Sequence, residues 1–526
     1  MKKRFVKILV ASLFAVSSLG FSACSLFNCG GEKEKTVKVS NLDELLSAGG
    51  KVVLTDDIDC DFMTINGLYC SSFDGQGHTI KNAVLNGSFF PTTHTSPSSS
   101  SYKNSQNIKN VTFDNITCRT SSNSNVSIVA GCEYGISMEN VRVQNSTLEV
   151  GQGTSTLQAG IFVNCVTNRA AGERASFKNC TADNVKVKLG YDSTSTDKVR
   201  TDVYFGGLIG YGLDVAIDDC SVTNCDIEIA MACTGAVYAG GLVGWFEELR
   251  SDSNSSINRS FVKDSKIGIN ATYYSQIMGI VTKSTDVYLG GLAGYYSTSG
   301  SIIQSYSSDN NFDTGCSGQT KMGGLVGEFK GASVTSCYSS NNYIRAGYCD
   351  IGKRAHTVGG FIGVARNCAI TSCFAAGNTV RADGTKILHE VTSGKADDLK
   401  HNLNDNTYSL IGGFIASVNT VSMTFCAADN TVCDSVHDQY GTICDPRIDT
   451  YNLKTGDKAD QFSLGGTILN CYISYKSNLT IAGNSLNLEV LDGSVWHTNE
   501  IKTKLNLVGA NWVISGDDFP TLAFGE

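Results

Sequence analysis

The chain is poor in proline, with 4 in 526 residues, and long stretches of Leu, Ala, Glu and Lys are nearly absent. That scarcity, beside 55 glycines and abundant Val, Ile, Thr, Ser and Asn, excludes a mainly helical protein and favours many short strands. No CxxC pair occurs among the 20 cysteines, so a cysteine-type zinc site or a thioredoxin-like redox site has no footing. Basic residues are few, 41 Lys and Arg against 50 Asp and Glu. Without the four cations of the leader described next, the net charge is about −13, and a nucleic-acid partner, which needs a basic footprint, is excluded. Beyond the first residues no apolar run is long enough to span a bilayer.

Those first residues read as a targeting segment. Lys2, Lys3, Arg4 and Lys7 precede an apolar run over 8–19, and Phe21, Ser22, Ala23 and Cys24 follow it. The four-residue end resembles the lipobox of bacterial lipoproteins, which implies that Cys24 carries a lipid and becomes the first residue of the mature chain. The expected location is extracytoplasmic, anchored to the bacterial membrane and surface-exposed. A short polar tether over 24–38 follows.

The rest of the chain repeats itself. GGLIG at 206 returns as GGLVG at 240, GGLAG at 290, GGLVG at 323, GGFIG at 359 and a decayed GGFIA at 412, at intervals of 33 to 53 residues. A second phrase trails the first, as in IDDC (217–220), VTSC (334–337) and ITSC (370–373), and FKNC (177–180) shows it without a glycine phrase. Four residues further on stands Asn or Asp, at Asn115, Asn145, Asn184, Asn224, Asp264, Asp309 and Asn341, and three later an apolar side chain. Each unit thus holds three strand-like pieces, none able to bury its own face, and stacking one unit on the next solves that. In a parallel stack like residues lie on like. Leu208, Leu242, Leu292, Leu325 and Phe361 are expected to form one inward column, and Cys180, Cys220, Cys337 and Cys373 another, read as packing of buried free thiols. The glycines Gly207, Gly241, Gly291, Gly324, Gly360 and Gly413 are expected where backbone needs positive φ or meets backbone. The Asn positions are expected in left-handed turns.

These phrases resemble the GLUG repeats of bacterial surface proteins, which implies a right-handed parallel β-helix. VLTDDIDC (53–60) and FDGQGHTI (73–80) resemble the first coils of such solenoids. The family includes adhesins and non-catalytic regions of secreted proteases, and this chain departs from the latter, because His389 and Glu390 are followed by Ser393 where a metalloprotease has histidine. The expected fold is all-β, a right-handed parallel β-helix with a short N-terminal capping helix near Ser40 and Asn41. It divides as leader 1–23, tether 24–38, β-helix 39–480 with loop insertions, and C-terminal cap 481–526.

An aromatic series follows the glycine phrase: Tyr211, Trp245, Phe246, Tyr295, Tyr296 and Phe329. Exposed, it would suit stacking on sugars; turned inward, it would pack corners. Insertions at 191–201, 270–286, 382–406 and 434–460 are expected as loops, the first three on one edge. Three functions follow: an adhesin-like module binding a glycan or a host or cell-surface protein without catalysis, a polysaccharide lyase or glycosidase, or a structural envelope protein. Asp218 with Asp219, Asp397 with Asp398, and His78 are the candidates an enzyme would offer, although neighbours on a strand point to opposite faces. No cofactor and no metal site is read from the sequence.

Overall fold

A computed structural model describes residues 36–91, 106–121, 125–131, 135–166, 174–191, 199–248, 255–271, 274–277, 280–316, 318–331, 333–349, 356–382, 410–434, 468–474, 489–507, 512–516 and 518–524. The leader, Cys24 and the tether to residue 35 lie outside the described residues, as do Asp397, Asp398 and the 389–393 stretch. The chain is an all-β parallel solenoid, in which each strand pairs with its counterpart one coil on. Val203↔Val237, Val237↔Val287, Gly206↔Gly240, Gly240↔Gly290, Gly290↔Gly323, Gly323↔Gly359 and Gly359↔Gly412 lie in register.

A central coil has five short strands rather than three: Val203–Gly206, Ile209–Leu213, Val215–Asp218, Ser221–Thr223 and Asp226–Ile229. Of the four breaks between them, one is the glycine phrase and the other three carry single residues in the left-handed region, Asp214, Asp219 and Asn224, with φ of 54, 55 and 53°. Each turns a corner without adding loop. Asn115, Asn145, Asn184, Asp264, Asp309 and Asn341 share that conformation, as expected. A second left-handed position precedes the cysteine column and tolerates bulk there, since Arg259, Gln304, Ser336 and Ser372 hold it alongside Asn110, Asn140 and Asn179.

The inward columns form. Leu208, Leu242, Leu292, Leu325 and Phe361 are buried, and Phe361 stacks on Phe414 at 4.8 Å. Cys180, Cys220, Cys337 and Cys373 are buried and unbridged. Their role exceeds packing. At the corner after a left-handed residue, the next amide finds a side chain of the adjacent coil as its acceptor: Cys180 N–H donates to Cys220 Sγ (3.4 Å), Cys220 to Ser260 Oγ (3.0 Å), Ser260 to Ser305 Oγ (3.1 Å), Ser305 to Cys337 Sγ (3.4 Å) and Cys337 to Cys373 Sγ (3.4 Å). A second ladder runs from Cys225 through Ser265, Asn310, Asn342 and Asn378 to Asn430, each amide donating to the next side-chain oxygen at 2.9–3.1 Å. Sulfur, hydroxyl and amide oxygen interchange because all three accept.

The near end carries strand Thr36–Val39, paired with Lys51–Leu54, and the expected helix, Leu42–Ser47. Asn41 Oδ1 accepts from the Glu44 amide at 3.0 Å, and Glu44 accepts from the Ser40 amide at 2.8 Å, a reciprocal cap that also holds the Glu44 carboxyl below its usual range. The C-terminal piece does more than close the far end. Strand Glu489–Leu491 continues the stack beside Tyr472–Ser474, and the chain then turns back along the flank. There Trp496, Ile501, Leu505 and Trp512 cover a column of rings, Phe261, Tyr306, Tyr338 and Phe374, stacked at 4.8, 4.6 and 5.1 Å.

The 270–286 insertion holds an antiparallel hairpin, Tyr274–Ile277 with Ile280–Ser284, and the parallel register resumes at Asp286 opposite Ala236. The insertions at 382–406 and 434–460 fall, beyond their first residues, outside the described residues, and so does most of 191–201. No helix among the described residues is long and apolar enough to cross a membrane.

Candidate binding surface

The glycine phrase builds this surface through close approach, not through positive φ. None of its glycines adopts the left-handed region that one reading of the sequence required. A Cβ on Gly207 would overlap the carbonyl oxygen of Gly241, one on Gly241 that of Gly291, and so on through Gly324, Gly360 and Gly413. The third glycine works across the corner: a Cβ on Gly244 would stand 2.7 Å from the amide nitrogen of Phe205, and one on Gly294 2.8 Å from that of Ala239. With only hydrogens between them, the strand after the phrase lies against the strand before it. Their outward side chains therefore meet.

Two columns of half-exposed rings result. Tyr204, Tyr238 and Tyr288 occupy one, in register, and Tyr211, Trp245 and Tyr295 the other. Along the axis Tyr204 stacks on Tyr238 at 5.2 Å, Tyr238 on Tyr288 at 4.6 Å, Tyr211 on Trp245 at 6.4 Å and Trp245 on Tyr295 at 4.1 Å. Across the corner the contacts are edge to face, Tyr204 to Tyr211 at 5.4 Å, Tyr238 to Trp245 at 4.6 Å and Tyr288 to Tyr295 at 6.1 Å. Trp245 Nε1 donates to Glu247 at 3.1 Å. Burial pushes the phenols of Tyr204, Tyr238 and Tyr295 above their ordinary pKa.

One coil further the columns become charged. Lys321 lies in register with Tyr288 and Glu328 with Tyr295. The Lys321 ammonium sits 4.6 Å over the Tyr288 ring and 2.6 Å from Glu328, which also accepts from Arg366 at 3.0 Å. Burial works to lower the Lys321 pKa, but the Glu328 carboxylate and the Tyr288 hydroxyl hold it above its usual value.

Half of the aromatic series read from the sequence is not at this surface. Phe246, Tyr296 and Phe329 are buried, packed at 5.1 and 4.9 Å in their own inner column, with Tyr296 Oη 3.3 Å from the Ser255 carbonyl oxygen. The cause is strand alternation, which sends Trp245 and Phe246, or Tyr295 and Tyr296, to opposite faces. Tyr211, Trp245 and Tyr295 remain outside. Sequence reasoning missed their partners Tyr204, Tyr238 and Tyr288, which stand two residues before the first three glycine phrases and recur with their period. Tyr238 and Trp245 carry a ring on both faces and Lys321 sits over Tyr288, so the middle of the band offers ring edges rather than free faces.

The carboxylates offered for catalysis are engaged elsewhere. Asp218 Oδ1 accepts from Asn258 at 2.8 Å, and Asp219 accepts from Arg259 Nε at 2.6 Å, both contacts linking adjacent coils. His78 Nδ1 lies 3.2 Å from Asp57 in the first coils. Among the described residues no three His, Cys, Asp or Glu side chains come together as a metal site would require. No family model matches the chain, and a search of the curated proteins returns no match.

Proposed function

We propose that this chain is a lipid-anchored, surface-displayed β-helix that binds an extended glycan without cleaving it. The observation that carries the reading is the outer band of Tyr204, Tyr211, Tyr238, Trp245, Tyr288 and Tyr295, half exposed and repeated at one-coil spacing. Adjacent rungs place phenol edges about 4.8 Å apart along a rigid axis. That pitch suits a polymer of hydroxylated units, each meeting an apolar ring edge and a hydroxyl that donates or accepts. The anchor is supported by the lipobox-like Phe21 to Cys24, and surface display by the resemblance of the glycine phrases to GLUG repeats. Catalysis lacks support because the candidate carboxylates Asp218 and Asp219 are held by Asn258 and Arg259 rather than facing each other across a gap.

The test is a glycan and extracellular-matrix array probed with the chain from residue 24 onward, with Trp245→Ala and Tyr238→Ala beside it. Selective glycan binding that both variants lose while keeping their circular dichroism is the expected result. Binding unchanged in both variants, or confined to protein ligands, overturns the reading.

A further inference from the structure

Eight large apolar side chains stand exposed among the described residues, and four of them belong to the N-terminal cap and first rung. Phe62 is 62% exposed, Tyr69 59%, Met63 50% and Leu46 47%. The other four, Ile303, Tyr343, Leu469 and Val513, are spread along the rest of the chain. The first rung is also the end of the stack: Ile58–Asp59 and Thr64–Ile65 pair with Thr79–Lys81 and Val84–Leu85, and the described pairings give them no neighbour on the other side. Tyr69 lies beside the end of the capping helix, since the Ser71 amide donates to the Gly50 carbonyl at 2.9 Å.

Phe62 is presented at a conformational cost. Asp61 and Phe62 are consecutive left-handed residues, φ 46 and 58°, and a bulky side chain rarely adopts that region. The Phe62 amide donates to the Asn82 carbonyl at 2.7 Å and the Met63 amide to Cys60 at 2.8 Å, so the backbone is held there while both side chains point to solvent. Left-handed residues turn corners throughout the coil, but this corner differs in leaving two large apolar side chains in solvent.

The chain outside the structure says what meets this end. From Cys24 to Thr36 the polypeptide spans at most about 40 Å even when fully extended. We infer that the first rung rests on a lipid bilayer, with Phe62, Met63, Tyr69 and Leu46 entering the headgroup boundary of the membrane that holds Cys24. This rests on the lipid-anchor reading given above. Asp56, Asp57, Asp59 and Asp61, in the stretch that leads to Phe62, are exposed, so uncharged headgroups are preferred over anionic ones. The solenoid then stands on its end. Register runs Ile58↔Ile80, Ile80↔Phe113, Phe113↔Val143, Val143↔Ala182 and Ala182↔Val222. Those five steps lift the start of the tyrosine and tryptophan band roughly 24 Å from the bilayer.

The experiment introduces a single reporter, Phe62→Trp, into the chain from residue 24 carrying Cys24→Ser, and titrates phosphatidylcholine vesicles with brominated acyl chains. Ile303→Trp serves as the exposed control, and the signal of the parent chain, which has three tryptophans of its own, is subtracted from both. Expected for Phe62→Trp is a blue shift and at least twofold quenching of the added fluorescence at millimolar lipid, weaker when phosphatidylglycerol is included; the Ile303→Trp control stays unquenched. Equal response in both variants, or none in Phe62→Trp, overturns the proposal, as does protection of the new indole by self-association seen in gel filtration without lipid. The anchor is judged separately, by the mass of the N-terminal peptide of the chain made with its leader: an unmodified Cys24 overturns that reading and leaves the vesicle result to stand on its own.

Discussion

The backbone amide of Cys180 donates to the sulfur of Cys220, 3.4 Å away and one coil on. The same position is serine in two other coils and the hydrogen bond persists, so the column is selected for an acceptor of small volume rather than for sulfur chemistry. Cys220→Ser is therefore expected to be nearly neutral, whereas Cys220→Val, although apolar and close in size, orphans the buried Cys180 amide and costs about 1–3 kcal/mol. Denaturant unfolding of the two variants distinguishes the cases; equal losses would show that the column is packing alone.

Gly241→Val is expected to destabilise the protein by about 1–3 kcal/mol or more, because its side chain has the Gly291 carbonyl and Val262 where it must go. Gly87→Ala is the matched control, since a Cβ there meets nothing within 4 Å. Thermal melts of both, followed by circular dichroism, check the difference. A Gly241 variant as stable as the Gly87 variant would mean that adjacent coils can spread.

Trp496→Ala is expected to cost about 3–5 kcal/mol, the usual loss for a fully buried tryptophan. It should also loosen the C-terminal segment from the Phe261, Tyr306, Tyr338 and Phe374 column. Limited proteolysis reads this directly, with cleavage near 489–507 appearing in the variant before the solenoid is cut. Simultaneous cleavage throughout would count against an independently docked flank.

Stability should fall in alkali. Desolvation pushes the Cys118 and Cys225 thiols up to about 12 and raises the buried phenols of Tyr296 and Tyr338 above their ordinary value. The unfolded chain loses these protons first, from about pH 8.5 for thiols and about 10 for phenols. It therefore binds fewer protons than the folded form in that window, and stability, full below about pH 8, declines as pH rises towards the folded values. Urea midpoints measured from about pH 7 to 11 should drop steadily above about 9. A profile flat to about pH 10.5 would mean that the interior admits hydroxide or relaxes around the charges.

The coil was legible in the sequence because its signals are local and periodic. Asn145 or Asn184 at a fixed count after a small residue needs only a left-handed turn to make sense. Leu242 and its counterparts needed only an inside. Less legible were features that depend on which way a residue faces. Trp245 and Phe246 are adjacent letters of one type, and only strand phase separates the outer ring from the inner one. The corner amides were equally hidden: Ser265, Asn310 and Asn342 look like unrelated polar residues until each is seen to serve the amide of the preceding coil. Tyr204, Tyr238 and Tyr288 carried a readable signal, their shared distance from the glycine phrase, but what they touch is decided by Gly210, Gly244 and Gly294 bringing two strands together.

The hairpin from Tyr274 to Ser284 leaves the stack and returns with Val287 still opposite Val237. Length added at that address is invisible to every rung above and below it. A foreign peptide spliced between the two hairpin strands would be carried on a stiff rod at a chosen height, which makes this corner the natural site for new recognition to be acquired without redesigning the protein that bears it.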